Sequence, residues 1–268
     1  MSNIGIYNPN LTTRGGGEKV CLALAETLKA QGNKVTLITE QEIDVRQLES
    51  YFDVVLTGVN VMVLQKSHFV NRIFGSRLPD AVRHLVKNRY LFGQIQKANL
   101  DIFVNNAYNT ELPSPAAQGV YMCMFPHKLP DKTEMNVLQE LYSRLMKAVM
   151  KLAFRDKSEW LATYQTITAN SKFTQRYIME YWSRESSILY PICDSAKIAG
   201  VSKEKIIINV GRFFYNNGIT HHKRQDFLLD EFAKMRSLHE NGWQLHFVGT
   251  VNETYHDMVY VIDLLRRS

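Results

Sequence analysis

The chain has 268 residues, 45% of them hydrophobic and 22% charged, which excludes a disordered or fibrous protein and leaves room for one large or two ordinary domains. A formal net charge of +6 points to an anionic partner such as a nucleotide, a phospholipid surface or a nucleic acid. Three scattered cysteines, Cys21, Cys123 and Cys193, give neither a disulfide framework nor a metal knuckle and fit a reduced, cytoplasmic setting. The N-terminus carries no charged-then-apolar leader, and no window approaches the roughly 20 apolar residues that span a bilayer. The sequons at Asn10 and Asn252 are therefore read as chance matches.

In chain order, IGIY (Ile4 to Tyr7) reads as a strand, followed by Gly15, Gly16 and Gly17 and then by EKVCLALAETLKAQG, a helix stopped at Gly32. KVTLIT (Lys34 to Thr39) closes a βαβ unit. Further strands are expected at DVVLT (Asp53 to Thr57), DIFVNN (Asp101 to Asn106), GVYMCMF (Gly119 to Phe125) and YQTITAN (Tyr164 to Asn170). The stretch from Asn105 to Gln118, rich in Asn, Ser and Pro, is expected to be a surface loop at a strand end, where open α/β sheets bind ligands. The helix from Asn136 to Phe154 shows an apolar stripe at Val137, Leu138, Leu141, Tyr142, Leu145, Met146, Val149 and Met150, read as burial against the sheet.

The pattern restarts after ILYPICD (Ile188 to Asp194) and a linker-like SAKIAGVSKEK. Strands at Ile206 to Phe214 and Trp243 to Thr250 flank a helix from Arg224 to His239, and an amphipathic helix ends in LLRRS. The expectation is a parallel-sheet α/β protein, with a first Rossmann-like domain over 1–195 and the start of a second over 196–268.

Two constellations carry candidate chemistry. The contiguous glycines before Glu18 place bare amides at a helix N-terminus, where the orphan donors and the helix dipole favour an anion. They miss the G-x-G-x-x-G spacing, so a plain turn and a phosphate cradle both remain open. In VGRFFYNNGITHHKRQDFLLDEF, Arg212 follows a strand end and Lys223 precedes a helix. Such a pair could clamp a diphosphate, Arg through its fork and Lys as a point charge, or could be a solvated basic loop.

With GGGE near the N-terminus, ITANSKFTQRYI before ILYPICD, and VGRF before HKRQDFLLDEF, the chain resembles glycosyltransferase family four. These are retaining, nucleotide-sugar-dependent enzymes of the GT-B fold. The resemblance implies that Gly16 and Gly17 approach the donor diphosphate and the acceptor across a cleft between domains. It assigns Arg212 and Lys223 to the donor diphosphate and its departure. It also implies that the leaving diphosphate takes the acceptor proton, so no protein nucleophile and no metal are needed, and none of the recognisable nucleophilic triads is present. The donor would be a nucleotide sugar and the acceptor a saccharide or a lipid-linked sugar, in polysaccharide or glycolipid synthesis.

Two departures stand beside this. In YMCMFPHKLP the family often has a sugar-contacting histidine where this chain has Met124, and His127 is the candidate substitute. The family's second domain also runs on to an acidic E-x7-E motif past LHFVGT, whereas Glu253 and Asp257 are the carboxylates near that place and lie ahead of it. The expectation is then a piece of a longer enzyme, a split protein completed by a second chain, or a degenerate product, with weak donor binding of its own. The competing reading is a non-catalytic acceptor-binding or assembly partner.

From Leu64 to Lys97 the segment holds Lys66, Arg72, Arg77, Arg83, Lys87, Arg89 and Lys97 against the single acid Asp80, with Phe69, Phe74, Tyr90 and Phe92 interleaved. It suits an anionic membrane surface, which would make the protein peripheral at the inner face, or else an ordinary helical pair. No nucleic-acid motif is present. His221 and His222 lack a third spaced ligand and are not expected to hold a metal.

Overall fold

The computed structural model describes residues 1–65, 80–129, 137–193, 202–215, 223–251 and 254–268, with the backbone alone at 80–81 and 137–143. The basic and aromatic residues from Lys66 to Phe74, Arg77, the paired histidines His221 and His222, and Glu253 lie outside the described residues. The chain divides into two compact units, Met1–Asp194 and Ser195–Ser268.

The first unit is built on a sheet of seven parallel strands: β1 (Asn3–Tyr7), β2 (Lys34–Thr39), β3 (Asn60–Val63), β4 (Ile102–Asn105), β5 (Gln118–Cys123), β6 (Thr166–Ala169) and β7 (Ser187–Ile188). Their order is β3-β2-β1-β4-β5-β6-β7, so the winding reverses between β1 and β4. At such a switch point the loops leaving two neighbouring strands part and leave a crevice.

Helices α1 (Gly16–Ala30) and α2 (Val45–Phe52) cover one face. Cys21, Leu22 and Ala25 of α1 and Leu48 and Phe52 of α2 pack there on Ile4, Ile6, Val35, Leu37 and Val104. The other face carries α3 (Asp80–Gln96), α4 (Val137–Phe154) and α5 (Lys172–Trp182). There Leu91, Phe92, Ile95, Phe154, Ile178 and Trp182 meet Tyr7, Phe103, Tyr121 and Ile167. Side chains alternate across each strand, so a strand buried on both sides needs apolar residues on both faces, as Ile4, Ile6 and Tyr7 supply in β1 and Val35, Leu37 and Ile38 in β2. Asp44 caps α2 and Ser171 caps α5, each accepting a backbone N–H at 3.2 and 3.1 Å respectively. Such a cap typically contributes ~1 kcal/mol.

Four expectations need correction. The strand expected at Asp53 to Thr57 lies instead at β3. Asp53 takes a left-handed conformation (φ 53°) that ends α2, and Val54 and Leu56 are buried as a connection. The amides of Val55 and Leu56 donate to the carboxylates of Glu26 (2.9 Å) and Glu49 (2.7 Å), which removes them from any ladder.

The stretch Asn105 to Gln118 is largely interior, with Ala107, Leu112, Ser114 and Ala116 buried. Irregular backbone can be buried only where its polar groups find partners. Here Tyr164 donates to the carbonyl of Leu112 (2.6 Å) and Tyr121 to that of Thr110 (3.2 Å). The Lys157 ammonium donates to the carbonyls of Ser114 (2.7 Å) and Ala116 (2.9 Å), and burial lowers its pKa.

Helix α4 does not bury its whole apolar stripe. Met146, Met150, Ala153 and Phe154 pack on the core, but Leu145 (60% exposed), Val149 (37%) and Leu152 (85%) face outward.

The second unit holds two parallel strands, β8 (Ile206–Val210) and β9 (Gln244–Val248), in register from Ile206 with Gln244 to Val210 with Val248. The expected single helix from Arg224 to His239 is two, α6 (Gln225–Lys234) and α7 (Arg236–Glu240), broken at Met235, whose ψ of 69° leaves the helical region. The last helix, α8 (Tyr255–Arg267), is capped by Thr254, which accepts the Asp257 amide at 3.2 Å.

Candidate functional site

In the first unit the candidate site forms where the winding reverses. The chain leaves β1 through Asn8, makes a 3-10 turn over Leu11–Thr13, passes Arg14 in a left-handed conformation (φ 53°), and enters α1 with extended Gly15 as N-cap. The first amide to bond back within the helix is that of Lys19, on the carbonyl of Gly15 at 3.2 Å. The amides of Gly16, Gly17 and Glu18 therefore precede the ladder and are the orphan donors of this terminus. The Glu18 carboxylate reaches back to the Gly15 amide at 2.6 Å. Its negative charge shares the positive end of the helix dipole, so Glu18 fixes the turn at which the Gly16 and Gly17 amides precede the helical ladder.

The two glycines differ in what surrounds them. A Cβ on Gly16 would find no atom within 4 Å, whereas a Cβ on Gly17 would collide with the terminal methyl of Met124. Met124, the residue standing where the family often has histidine, is thus laid directly against the glycine loop. Its own backbone is fixed from the β6–α5 junction, because Asn170 Nδ2 (3.0 Å) and Thr174 Oγ1 (3.3 Å) both donate to its carbonyl. This gives the segment ITANSKFT a structural task. Asn170 and Thr174 hold the Met124 strand end, and Ser171 starts the helix.

At the strand ends lie three polar pairings that sequence reading did not single out. Asn8 and Asn106, leaving β1 and β4, are joined at 2.9 Å, and Asn105 donates to the Tyr164 hydroxyl at 2.8 Å. Tyr7 donates to Glu40 at 2.6 Å, and Glu40 pairs with Lys87 of α3 at 2.9 Å. Burial first, then the Glu40 charge, raises the Tyr7 phenol far above its ordinary range, so it stays a donor. The signal available in the sequence was the polar pair NN closing an otherwise apolar strand.

His127 sits in a different environment. Its ring stacks on Trp160 (centroids 6.0 Å, 21°) and meets Trp182 edge-on (5.8 Å), and its Nε2 lies 3.2 Å from a Glu111 carboxylate oxygen. The Trp182 indole donates to the His127 carbonyl at 2.9 Å.

The second unit holds both Arg212 and Lys223. The ladder of β8 and β9 runs on past the strands, with Gly211 donating to Val248 (2.9 Å) and Phe213 to Thr250 (2.9 Å). Lys223 lays its stem over Gly211, its Cγ 2.9 Å from where a Cβ of that glycine would stand. The Arg212 guanidinium lies over the Phe214 ring at 4.9 Å. The Lys223 stem and the Arg212 backbone are thus both placed at the C-terminal end of β8.

Three residues that sequence reading did not assign to this loop hold it. Gln225, fully buried, donates to the Arg212 carbonyl at 3.2 Å and meets the Tyr260 hydroxyl at 3.3 Å. Asp257 accepts the Tyr215 amide at 2.7 Å, so the backbone is pinned on both sides of Phe213 and Phe214. A Cβ on Gly249 would overlap the Gly211 carbonyl, so only glycine allows the two strand ends to approach this closely. No spacing rule points to these three, because their partners lie far away along the chain.

The glycosyltransferase family 4 model matches residues 14–195, more than half of the chain. The chain belongs to glycosyltransferase family 4. Among solved structures, the glycotransferase of kitacinnamycin aligns with a TM-score of 0.54 at 12% identity, covering 95% of this chain and 67% of that one. TarM of S. aureus, crystallised as a point mutant with fondaparinux, α-GlcNAc-glycerol and UDP, aligns with a TM-score of 0.53 at 10% identity, covering 99% of this chain and 76% of that one. At such identities the likeness is one of fold, and the α/β architecture with its parallel seven-stranded sheet agrees with these GT-B neighbours. A comparison with curated proteins returns no match. No helix among the described residues is long and apolar enough to cross a membrane. Among the described residues, no three His, Cys, Asp or Glu side chains come together as a metal site would require.

Proposed function

We propose that this glycosyltransferase takes its sugar from a nucleoside-diphosphate donor and passes it, with retention of anomeric configuration, to a hydroxyl of a saccharide or lipid-linked acceptor. The observation that carries the reading is that Arg212 and the stem of Lys223 are both found at the C-terminal end of β8. A flexible ammonium and a forked guanidinium, both rooted at one strand end whose backbone is pinned by Gln225 and Asp257, suit a diphosphate.

In the proposed step the bond between the anomeric carbon and the diphosphate oxygen breaks and a bond from that carbon to the acceptor oxygen forms on the same face. The acceptor proton passes to the departing diphosphate. Arg212 and Lys223 neutralise the charge that grows on that leaving group, where a preorganised cation acts most. In the first unit, the amides of Gly16 and Gly17 and the open space over Gly16 form the acceptor-side surface, with Met124 supplying apolar contact where the family often has histidine.

Calorimetric titration of UDP and of GDP into the wild type, Arg212→Ala and Lys223→Ala tests the donor side. Each charge-assisted contact contributes about 1.5–3 kcal/mol, so either variant should bind at least ~10-fold more weakly. Equal affinity in both variants would remove the pair from the donor site. The anomeric configuration of the product, read by proton NMR, tests retention.

A further inference from the structure

Beside the buried row Thr174, Ile178 and Trp182 of α5 runs a second row, Phe173, Tyr177 and Tyr181, aromatic at every fourth position. Consecutive rings touch, Phe173 to Tyr177 at 4.9 Å between centroids and Tyr177 to Tyr181 at 5.2 Å. Phe125, just past the end of β5, joins the outer end of this row, near-parallel to Phe173 (6.1 Å, 26°) and 5.3 Å from Tyr177. Tyr181 packs on the core, but Phe125 and Phe173 belong to neither core cluster and are 37% and 57% exposed. Burial therefore accounts for one end of the row only. An exposed apolar patch assembled from two separate elements marks a surface for a partner.

The polar groups around the rings define the chemistry of that partner. Arg176 holds its guanidinium over both Phe173 (5.5 Å) and Tyr177 (5.3 Å). Among the described residues, neither this guanidinium nor the Tyr177 hydroxyl has a hydrogen-bond partner, so a forked donor and a phenol border the rings with bonding capacity left over. A pyranose matches this arrangement, because it presents a flat face of C–H bonds and a rim of hydroxyls. Phe and Tyr supply such contact area at low entropic cost, having two χ angles each. The row contains no leucine, isoleucine or valine of the kind that enters a bilayer.

The rings are rooted beside the glycine loop. Met124, which lies against Gly17, immediately precedes Phe125, and Thr174, which donates to the Met124 carbonyl at 3.3 Å, immediately follows Phe173. We infer that Phe125, Phe173 and Tyr177 form a stacking platform for a saccharide unit of the acceptor, beyond the unit that receives the new sugar. Arg176 donates to hydroxyls of that unit, and the Tyr177 hydroxyl exchanges a hydrogen bond with them. The acceptor is accordingly an oligosaccharide, free or lipid-linked, and the platform sets the length it must have. The inference rests on the reading of the first unit as the acceptor side, and it uses none of the donor residues.

Saturation-transfer NMR on the full chain tests it without a donor, by irradiating the aromatic protons of the protein in the presence of cellohexaose, maltohexaose or chitohexaose. At least one hexaose should receive saturation at its C–H protons and bind more tightly than its monosaccharide. Phe173→Ala, at a site too exposed to disturb the fold, should weaken that binding about three- to tenfold through loss of one stacked ring. Phe173→Trp should retain it, and Met179→Ala, on the far side of α5, should leave it unchanged. UDP and GDP titrated into the same variants should bind as they do to the wild type. Hexaose binding that depends on Phe173 in a protein that binds neither nucleotide would sink the donor reading and uphold the platform. No binding of any hexaose to the wild type, or equal binding to Phe173→Ala, would overturn the inference. So would displacement of the hexaose by oligo(dT) whose own binding depends on Phe173, which would reveal a platform for nucleobases instead.

Discussion

Replacing Gly249 by alanine would put a methyl group where the carbonyl of Gly211 already stands, with the Gly211 carbonyl carbon 2.6 Å and the Arg212 nitrogen 3.3 Å from the same point. All three atoms are backbone, so no rotamer change relieves the overlap, and the ladder bonds of Gly211 to Val248 and Phe213 to Thr250 have to lengthen. Overpacking of this kind costs about 1–3 kcal/mol. At ~2 kcal/mol, local opening of the second unit should become roughly 30-fold more frequent, since each 1.4 kcal/mol is a factor of ten. Hydrogen exchange followed by mass spectrometry on peptides covering β8 and β9 reads this directly, while peptides of β1, β2 and β4 serve as the internal reference. Gly17→Ala is the matched comparison. It also meets an atom at close range, but that atom is the swinging end of Met124, and alanine is the better helix former by about 0.5–1 kcal/mol. Exchange in the second unit that stays at the wild-type rate in Gly249→Ala would refute the reasoning that this glycine sets the approach of the two strand ends.

Two further outcomes follow from the buried groups of the first unit. Tyr164→Phe removes a hydroxyl that donates to Leu112 and accepts from Asn105, leaving both unpaired in the interior; a loss of about 1–3 kcal/mol is expected in urea unfolding, with faster proteolytic cleavage between Ala107 and Gln118. Burial pushes the Cys123 thiol up to about 12 and Cys21 higher still, while Cys193 is exposed. A raised thiol pKa means less thiolate at a given pH, so near pH 8 Ellman's reagent should find one fast thiol in the native protein and all three after denaturation. Three fast thiols in the native protein would contradict the burial of α1 against β1.

The sequence of this protein determined what depends on neighbours along the chain. Short apolar runs between helical patterns read as central parallel strands, as with Ile4 to Tyr7 and Lys34 to Thr39. Gly32, Asp44 and Ser171 ended or began helices because caps act within a turn or two. The approach of the Lys223 stem to the end of β8 rests on residues 12 apart in the chain. Tertiary structure decided whatever rests on partners distant in sequence. The apolar alternation of Val54 and Leu56 reads as a strand until the carboxylates of Glu26 and Glu49 take its amides. The polar stretch after β4 reads as surface until Tyr121, Lys157 and Tyr164 satisfy its carbonyls from other elements. Helix α4 reads as a buried stripe because periodicity gives the width of an apolar face and not how much of it the sheet can cover. Gly249 is a glycine on account of Gly211, far off along the chain, and only folding puts that backbone in the way.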